Sequence, residues 1–255
     1  MFRIACLLHV LIAVVSLGLT GHAGASGHTS GGEADSPRVL IYGASGRIGS
    51  KIVDEALLRG YRVSAVTRDA SRLDAYKDRV EVIVSDILDP DATRELLAQF
   101  DSVIVSIGGT PTDSDPAKYI AARAADSLID VLTPMGTDGP RLIFVGNLFT
   151  LIYADGKTLL ELGRVAADNP NRAMFEGHQI ALDAFRASDI NWTVATPPNG
   201  LRLEGRTGAV RWGGDELLRD EDGASSQISR EDFAYAVLEE LEHARYIRAR
   251  FNVAR

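Results

Sequence analysis

One cysteine, Cys6, is the chain's whole supply of thiol, so neither a disulfide framework nor a Cys-based zinc site can form within it. Five histidines are scattered without paired spacing and give no metal motif, so no bound metal is expected. Positive charge is also short. Lys and Arg number 27 against 35 Asp and Glu, and the net charge of -8 argues against nucleic acid or an anionic membrane surface as partner. Internal repeats and heptads are missing. What remains is ordinary globular composition, 45% hydrophobic and 24% charged over 255 residues, enough for one real core.

A long apolar run occurs once, from Ile4 to Leu19, broken mainly by His9 and Ser16 and preceded by Arg3. Ala23-Gly24-Ala25 follows as a small-residue cleavage pattern. The run falls short of the ~20 residues of a bilayer span, so residues 1–25 read as a secretory signal. Residues 26–36 are Gly/Ser-rich and read as a disordered linker to a single domain over 37–255. No lipobox surrounds Cys6, which argues against a lipid anchor. The expectation is a periplasmic or secreted protein that touches membrane only through this signal. A mis-assigned start or signal would make it cytoplasmic.

From Arg38 onward, short apolar strands alternate with helical patterns. Strands are predicted at Val39–Tyr42, Arg62–Thr67, Val80–Ser85, Ser102–Ile107, Arg141–Val145 and Asn191–Thr196. Such alternation means a parallel sheet with helices on both faces, a doubly wound α/β fold of Rossmann type. A small C-terminal extension on the substrate side follows the sixth strand. Pro90 suits the first position of a helix, and Tyr153 to Gly156 reads as a turn. Ser229 is expected to cap a last helix with Asp232 completing an imperfect capping box, and Arg250 to Val253 to form an edge strand.

The first strand leads straight into Gly43-Ala44-Ser45-Gly46-Arg47-Ile48-Gly49 and then a helix. Strand, glycine turn and helix in that order form a dinucleotide-binding context. Gly43 allows the sharp turn, Gly46 allows backbone to approach a pyrophosphate, and Gly49 allows the helix to pack on the sheet. The helix N-terminus then points free N–H groups at the phosphates. The end of the second strand, Thr67-Arg68-Asp69, bears on which cofactor is bound. Arg68, with Arg47 in the loop, favours the 2′-phosphate of NADP. Asp69 could instead hold the ribose 2′-hydroxyl of NAD, the less favoured cofactor.

These residues, with Ser85-Asp86-Ile87, Trp192 to Pro198 and Ile228 to Ala234, resemble the atypical short-chain dehydrogenase/reductases. Within them the chain is similar to the NAD(P)H-binding group that includes biliverdin reductase B, a flavin reductase, and bacterial NADH–flavin reductases. The resemblance implies that Asp86 and Ile87 contact adenine and that Gly108 borders the ribose and nicotinamide. It also implies a small polar residue after the fifth strand, where this chain has Asn147, and a pocket His at His178, whose usual pKa range suits proton delivery. Asn147 donates a hydrogen bond but cannot release a proton.

The string Tyr153-Ala154-Asp155-Gly156-Lys157 has the spacing of the Tyr–Lys pair of standard short-chain reductases. Asp-Gly inside it would break the helix such a pair needs. Tyr119, four residues before Arg123, lies on the helix before the fifth strand, the wrong element. The reading is therefore an NADPH-dependent reductase passing hydride to a flavin, quinone or similar planar acceptor, as a monomer or homodimer. The alternative is a non-catalytic NADP-binding sensor or scaffold.

Overall fold

The structure, a computed structural model, describes residues 36–198 and 200–255. The signal reading of residues 1–25, nearly all of the linker and Asn199 lie outside the described residues. Ser36–Arg255 forms one compact unit.

Each predicted strand forms: β1 (Arg38–Tyr42), β2 (Arg62–Thr67), β3 (Glu81–Val84), β4 (Ser102–Val105), β5 (Arg141–Val145) and β8 (Trp192–Thr196). Helices α1 (Gly49–Leu58), α2 (Pro90–Leu97), α3 (Ile120–Leu132) and α4 (Arg172–Ala187) return the chain between them. Short β6 (Ile152–Ala154) and β7 (Lys157–Thr158) form a separate hairpin. After β8 come β9 (Arg211–Gly213), α5 (Arg230–His243) and β10 (Ala249–Ala254).

The large sheet runs β3-β2-β1-β4-β5-β8-β10-β9. All its pairings are parallel except β9 on β10. The order therefore reverses between β1 and β4, which opens a crevice above their carboxyl ends. Alternation along β1 divides the core. Leu40 and Tyr42 face the side of α2, α3 and α4, with Leu128 and Phe185. Val39 and Ile41 face the side of α1 and α5, with Ile52 and Phe233. Each fully buried Phe of this kind contributes about 2–3 kcal/mol of transfer free energy.

Local chemistry sets several boundaries. Asp89 caps α2 by accepting from the N–H groups of Asp91 and Ala92, both at 3.1 Å, with Pro90 next in line. At Asp155-Gly156 both residues take positive φ, 52° and 69°, the geometry of a two-residue hairpin turn.

Two expectations need correction. The last strand is not an edge, because β9 pairs outside it and leaves β10 interior and almost wholly buried. Ser229 does cap α5, accepting from the Asp232 N–H at 2.9 Å, but Asp232 does not complete a capping box. Its carboxylate turns away to accept from the N–H groups of Thr207 (2.6 Å) and Gly208 (2.9 Å), the Thr207 hydroxyl (2.8 Å) and the Arg255 guanidinium (2.7 Å). Four donors outweigh the one backbone N–H that a box would offer.

Helix α1, whose first turn borders the crevice, is fixed from behind by charge. The Glu55 carboxylate is buried and accepts from Arg59 at 2.7 Å and from Arg206 at 2.6 and 2.9 Å. Burial works to raise its pKa, but the Arg206 and Arg59 hydrogen bonds prevail and hold it below the usual carboxylate range. Arg59 continues to Glu239 (2.9 Å) and Glu242 (2.6 Å) on α5.

Asp232 gives a pH-dependent test. Burial opposes its ionisation, but Arg255 and the Gly208 and Thr207 donors outweigh it and hold the carboxyl at about 2. Its stabilisation, of order 2 kcal/mol, is complete above the unfolded value near pH 4 and is lost as pH falls through about 2. Asp232→Asn is expected to cost about 3 kcal/mol at neutral pH by urea denaturation. The gap from wild type should narrow toward about pH 2; a gap constant over that range would rule the linkage out.

Candidate active site

Where β1 and β4 part, backbone lies on backbone. A Cβ on Gly43 would stand 2.1 Å from the Ser106 carbonyl oxygen, and Gly43 has φ +74°, a conformation that side chains resist. A Cβ on Gly49 would stand 2.1 Å from the Gly43 carbonyl oxygen. Only glycine permits this three-way contact among the β1 turn, the end of β4 and the start of α1. Gly46 closes the turn by donating its N–H to the Gly43 carbonyl at 2.9 Å. The N–H groups of Arg47, Ile48 and Gly49 make no hydrogen bond to the described protein, and the first turn of α1 holds no acidic residue. This is an anion cradle whose own helix turn adds no negative charge.

Above the cradle lies a cavity of about 500 Å³. It brings together every expected cofactor residue except Gly49, which is buried behind the turn: Gly43, Ser45, Gly46, Arg47 and Ile48 at the loop, Arg68 after β2, Asp86 and Ile87 after β3, and Gly108 after β4. Asp86 closes a turn by accepting from the Leu88 N–H at 3.0 Å. Ile87 is buried, its carbonyl taking the hydroxyls of Ser127 (2.9 Å) and Thr93 (3.3 Å).

Three guanidiniums line the cavity: Arg47, Arg68 and Arg72. None has a hydrogen-bond or ion-pair partner among the described residues, although most arginines here are paired. Asp69, the residue that could have served a ribose hydroxyl, is absent from the lining. Its carboxylate accepts from the Ser71 N–H (3.1 Å) and hydroxyl (2.8 Å), capping a 3-10 turn over Ala70–Tyr76.

The other end of the cavity is uncharged. Both expected chemical residues lie there with Tyr119, Met174 and Pro197. Asn147 caps a short turn, Leu148–Thr150, its Oδ1 accepting from the Phe149 N–H at 3.0 Å. That bond fixes the amide orientation and leaves the NH2 as the free donor. His178, on α4, is 6% exposed, with its ring centroid 5.6 Å from that of Tyr119 and 6.4 Å from that of Phe144. Its Nδ1 is buried without a partner. Burial pushes the imidazole down to about 4. At neutral pH the ring is uncharged and offers hydrogen bonding only.

Tyr119 was assigned to the wrong element by the dyad argument, yet it lines the cavity. Its hydroxyl donates to the Gly109 carbonyl at 3.1 Å, and burial raises its pKa. The signal for it was position alone, the start of the helix that leaves β4 at the carboxyl edge of the sheet. Tyr42, at the end of β1, also lines the cavity, and burial pushes its phenol up to about 12. Arg72, four residues beyond Arg68 in the same segment, adds a guanidinium that the glycine motif does not single out. Tyr153 and Lys157 sit on opposite strands of the β6–β7 hairpin and do not line the cavity.

The residues present fit a dinucleotide: a glycine cradle that any Cβ would fill, free N–H groups, unpaired cations and an uncharged end. Comparison with known proteins agrees. Residues 43–244 match the family model described as NAD(P)H-binding. YwnB of Bacillus subtilis strain 168 is 30% identical over 219 residues, spanning 85% of this chain and 97% of YwnB. A solved Burkholderia pseudomallei structure, of a protein suggested to be exported, is 30% identical with a TM-score of 0.71, over 86% of this chain and all of that one. SP1627 of Streptococcus pneumoniae TIGR4, for which NADH–flavin reductase activity has been suggested, is 25% identical with a TM-score of 0.73. That match covers 86% of this chain and 99% of SP1627. The chain belongs to the NAD(P)H-binding family, in the atypical short-chain dehydrogenase/reductase group.

Proposed function

We propose that the protein is an NADPH-dependent reductase acting on a flavin, quinone or similar small planar acceptor. The observation that carries this reading is the division of one cavity into a cationic end, with three arginines that have no partner among the described residues, and an uncharged end with Asn147 and His178. The activity suggested for SP1627 supports it.

A nicotinamide cofactor bound there would supply the hydride. The α1 N–H groups and Arg47 would hold the pyrophosphate, Arg68 and Arg72 a 2′-phosphate, and Asp86 and Ile87 the adenine. Asp69, held in its cap, does not compete for the ribose, which favours NADPH over NADH.

At the acceptor end, no side chain among the described residues is a ready acid near pH 7. Asn147 has no acidic proton, His178 is neutral, and Tyr119 is raised above the usual phenol range by burial. Reduced quinones and flavins are weakly basic and take their proton from water. Alkoxides from simple ketones are strongly basic and need an enzymic acid. The pocket therefore suits the first class, with the Asn147 NH2 oriented to donate to an acceptor carbonyl. The reading needs no Tyr–Lys pair, in keeping with the hairpin position of Tyr153 and Lys157.

Fluorescence titration should show NADPH binding more tightly than NADH. Arg68→Ala and Arg72→Ala are each expected to weaken NADPH about tenfold or more and NADH less than about threefold. Gly49→Ala should abolish binding of both, and equal affinity of wild type for the two cofactors would sink the NADP assignment. With a quinone acceptor, kcat should be flat from about pH 5.5 to about pH 8. A limb near the ordinary histidine value would restore His178 as an acid and refute this account. Export belongs to the same proposal: N-terminal sequencing of the secreted or periplasmic fraction should begin after Ala25, and an intact Met1 start would overturn it.

A further inference from the structure

Arg250 lies on β10, a hundred residues from the turn that presents Asn147, and it does not line the cavity. It is 5% exposed. One guanidinium nitrogen donates to the Thr150 carbonyl at 2.6 Å and to the Thr150 hydroxyl at 3.1 Å. The other donates to the Asp215 carbonyl at 3.0 Å and meets the Asp215 carboxylate at 2.6 Å. A buried cation is tolerated only when paired in this way, and the planar fork suits four acceptors that a lysine could not serve together.

Both ends of the fork lead to the acceptor pocket. Thr150 passes the constraint to Asn147, whose carbonyl accepts from the Thr150 hydroxyl at 2.7 Å and N–H at 3.1 Å. Asn147 Oδ1 closes the same turn through the Phe149 N–H. Asp215 passes it to α4, the helix of His178 and Met174, through Arg186 at 2.8 Å. The Asp215 carbonyl also accepts from the Ile152 N–H at 2.9 Å, fixing the chain just past the turn.

We infer that Arg250 is the positioning residue of the acceptor pocket, setting Asn147 through Thr150 and α4 through Asp215 and Arg186. The inference takes its functional meaning from the reductase reading above. None of these contacts reaches the cationic end, so Arg250 acts on the acceptor side and leaves cofactor affinity alone.

The test compares wild type with Arg250→Lys, Thr150→Val and Thr150→Ser in the full-length protein. The first readout is the side-chain NH2 resonance pair of Asn147 in the ¹⁵N–¹H spectrum, assigned by its disappearance in Asn147→Asp. Arg250→Lys and Thr150→Val should shift this pair, and Thr150→Ser, which keeps the hydroxyl, should return it. The second readout is turnover with a quinone. Arg250→Lys should lower kcat about tenfold to a hundredfold, the cost of a misplaced pocket group, while the NADPH Kd stays within about twofold. Thr150→Val should fall in the same direction and Thr150→Ser should recover. An unmoved Asn147 pair, an unchanged kcat, or a loss of NADPH affinity in parallel with turnover would each overturn the inference. A wild type that turns over no acceptor defeats the reductase reading alone, since the Asn147 resonances still decide whether Arg250 sets that side chain.

Discussion

Three stretches of backbone meet at Gly43, and everything above the sheet depends on how closely they meet. The β1 turn touches the Ser106 carbonyl, and the start of α1 touches the Gly43 carbonyl. A side chain at either glycine would push α1 away from the sheet and draw its free N–H groups back from the crevice. The contact also fixes where the crevice lies, because it joins the two strands between which the sheet order reverses. The remaining helix packing supports it. Glu55, Arg59 and Arg206 tie α1 to α5 and to the loop before it, so the helix is held at both ends.

Charge is then sorted along the cavity. The β2 side contributes guanidiniums that meet no carboxylate, while α4 and the turn after β5 contribute an amide, an imidazole and apolar surface. The sorting follows from which elements end where. Strands β1 to β3 close the cationic end, and β5, β8 and α4 close the uncharged end. The neutral state of His178 belongs to the same division. A ring enclosed by Tyr119 and Phe144, with no carboxylate beside it, has nothing to stabilise its cation.

Much of this was legible in the residue order. Glycine spacing, the apolar strands, the Asp89–Pro90 helix start and the Ser229 cap depend on neighbours a few positions apart, and all appear where the pattern placed them. What escaped depends on distant partners. Asp232 looked like a capping-box acid until Thr207, Gly208 and Arg255 supplied more donors. Arg250 to Val253 looked like an edge because β9, the strand that covers it, is only three residues long. Tyr119 was set aside by an argument about element order, whereas its place in the cavity depends on which end of the sheet α3 leaves. The imidazole of His178 is set by burial, and burial is not written in local spacing.

The unpaired arginines also bear on how a ligand arrives. The chain carries a net charge of -8, so a polyanionic dinucleotide approaching most of its surface is repelled. At the cavity mouth, Arg47, Arg68 and Arg72 make a small attractive island inside that repulsive field. The island guides encounter to one opening and turns the remaining surface into a barrier to unproductive collision. Added salt then works in opposite directions on the two fields, with a Debye length near 8 Å at physiological strength. It weakens the pull of the mouth and relieves the repulsion elsewhere, so the association rate depends less on ionic strength than three bare cations alone would dictate.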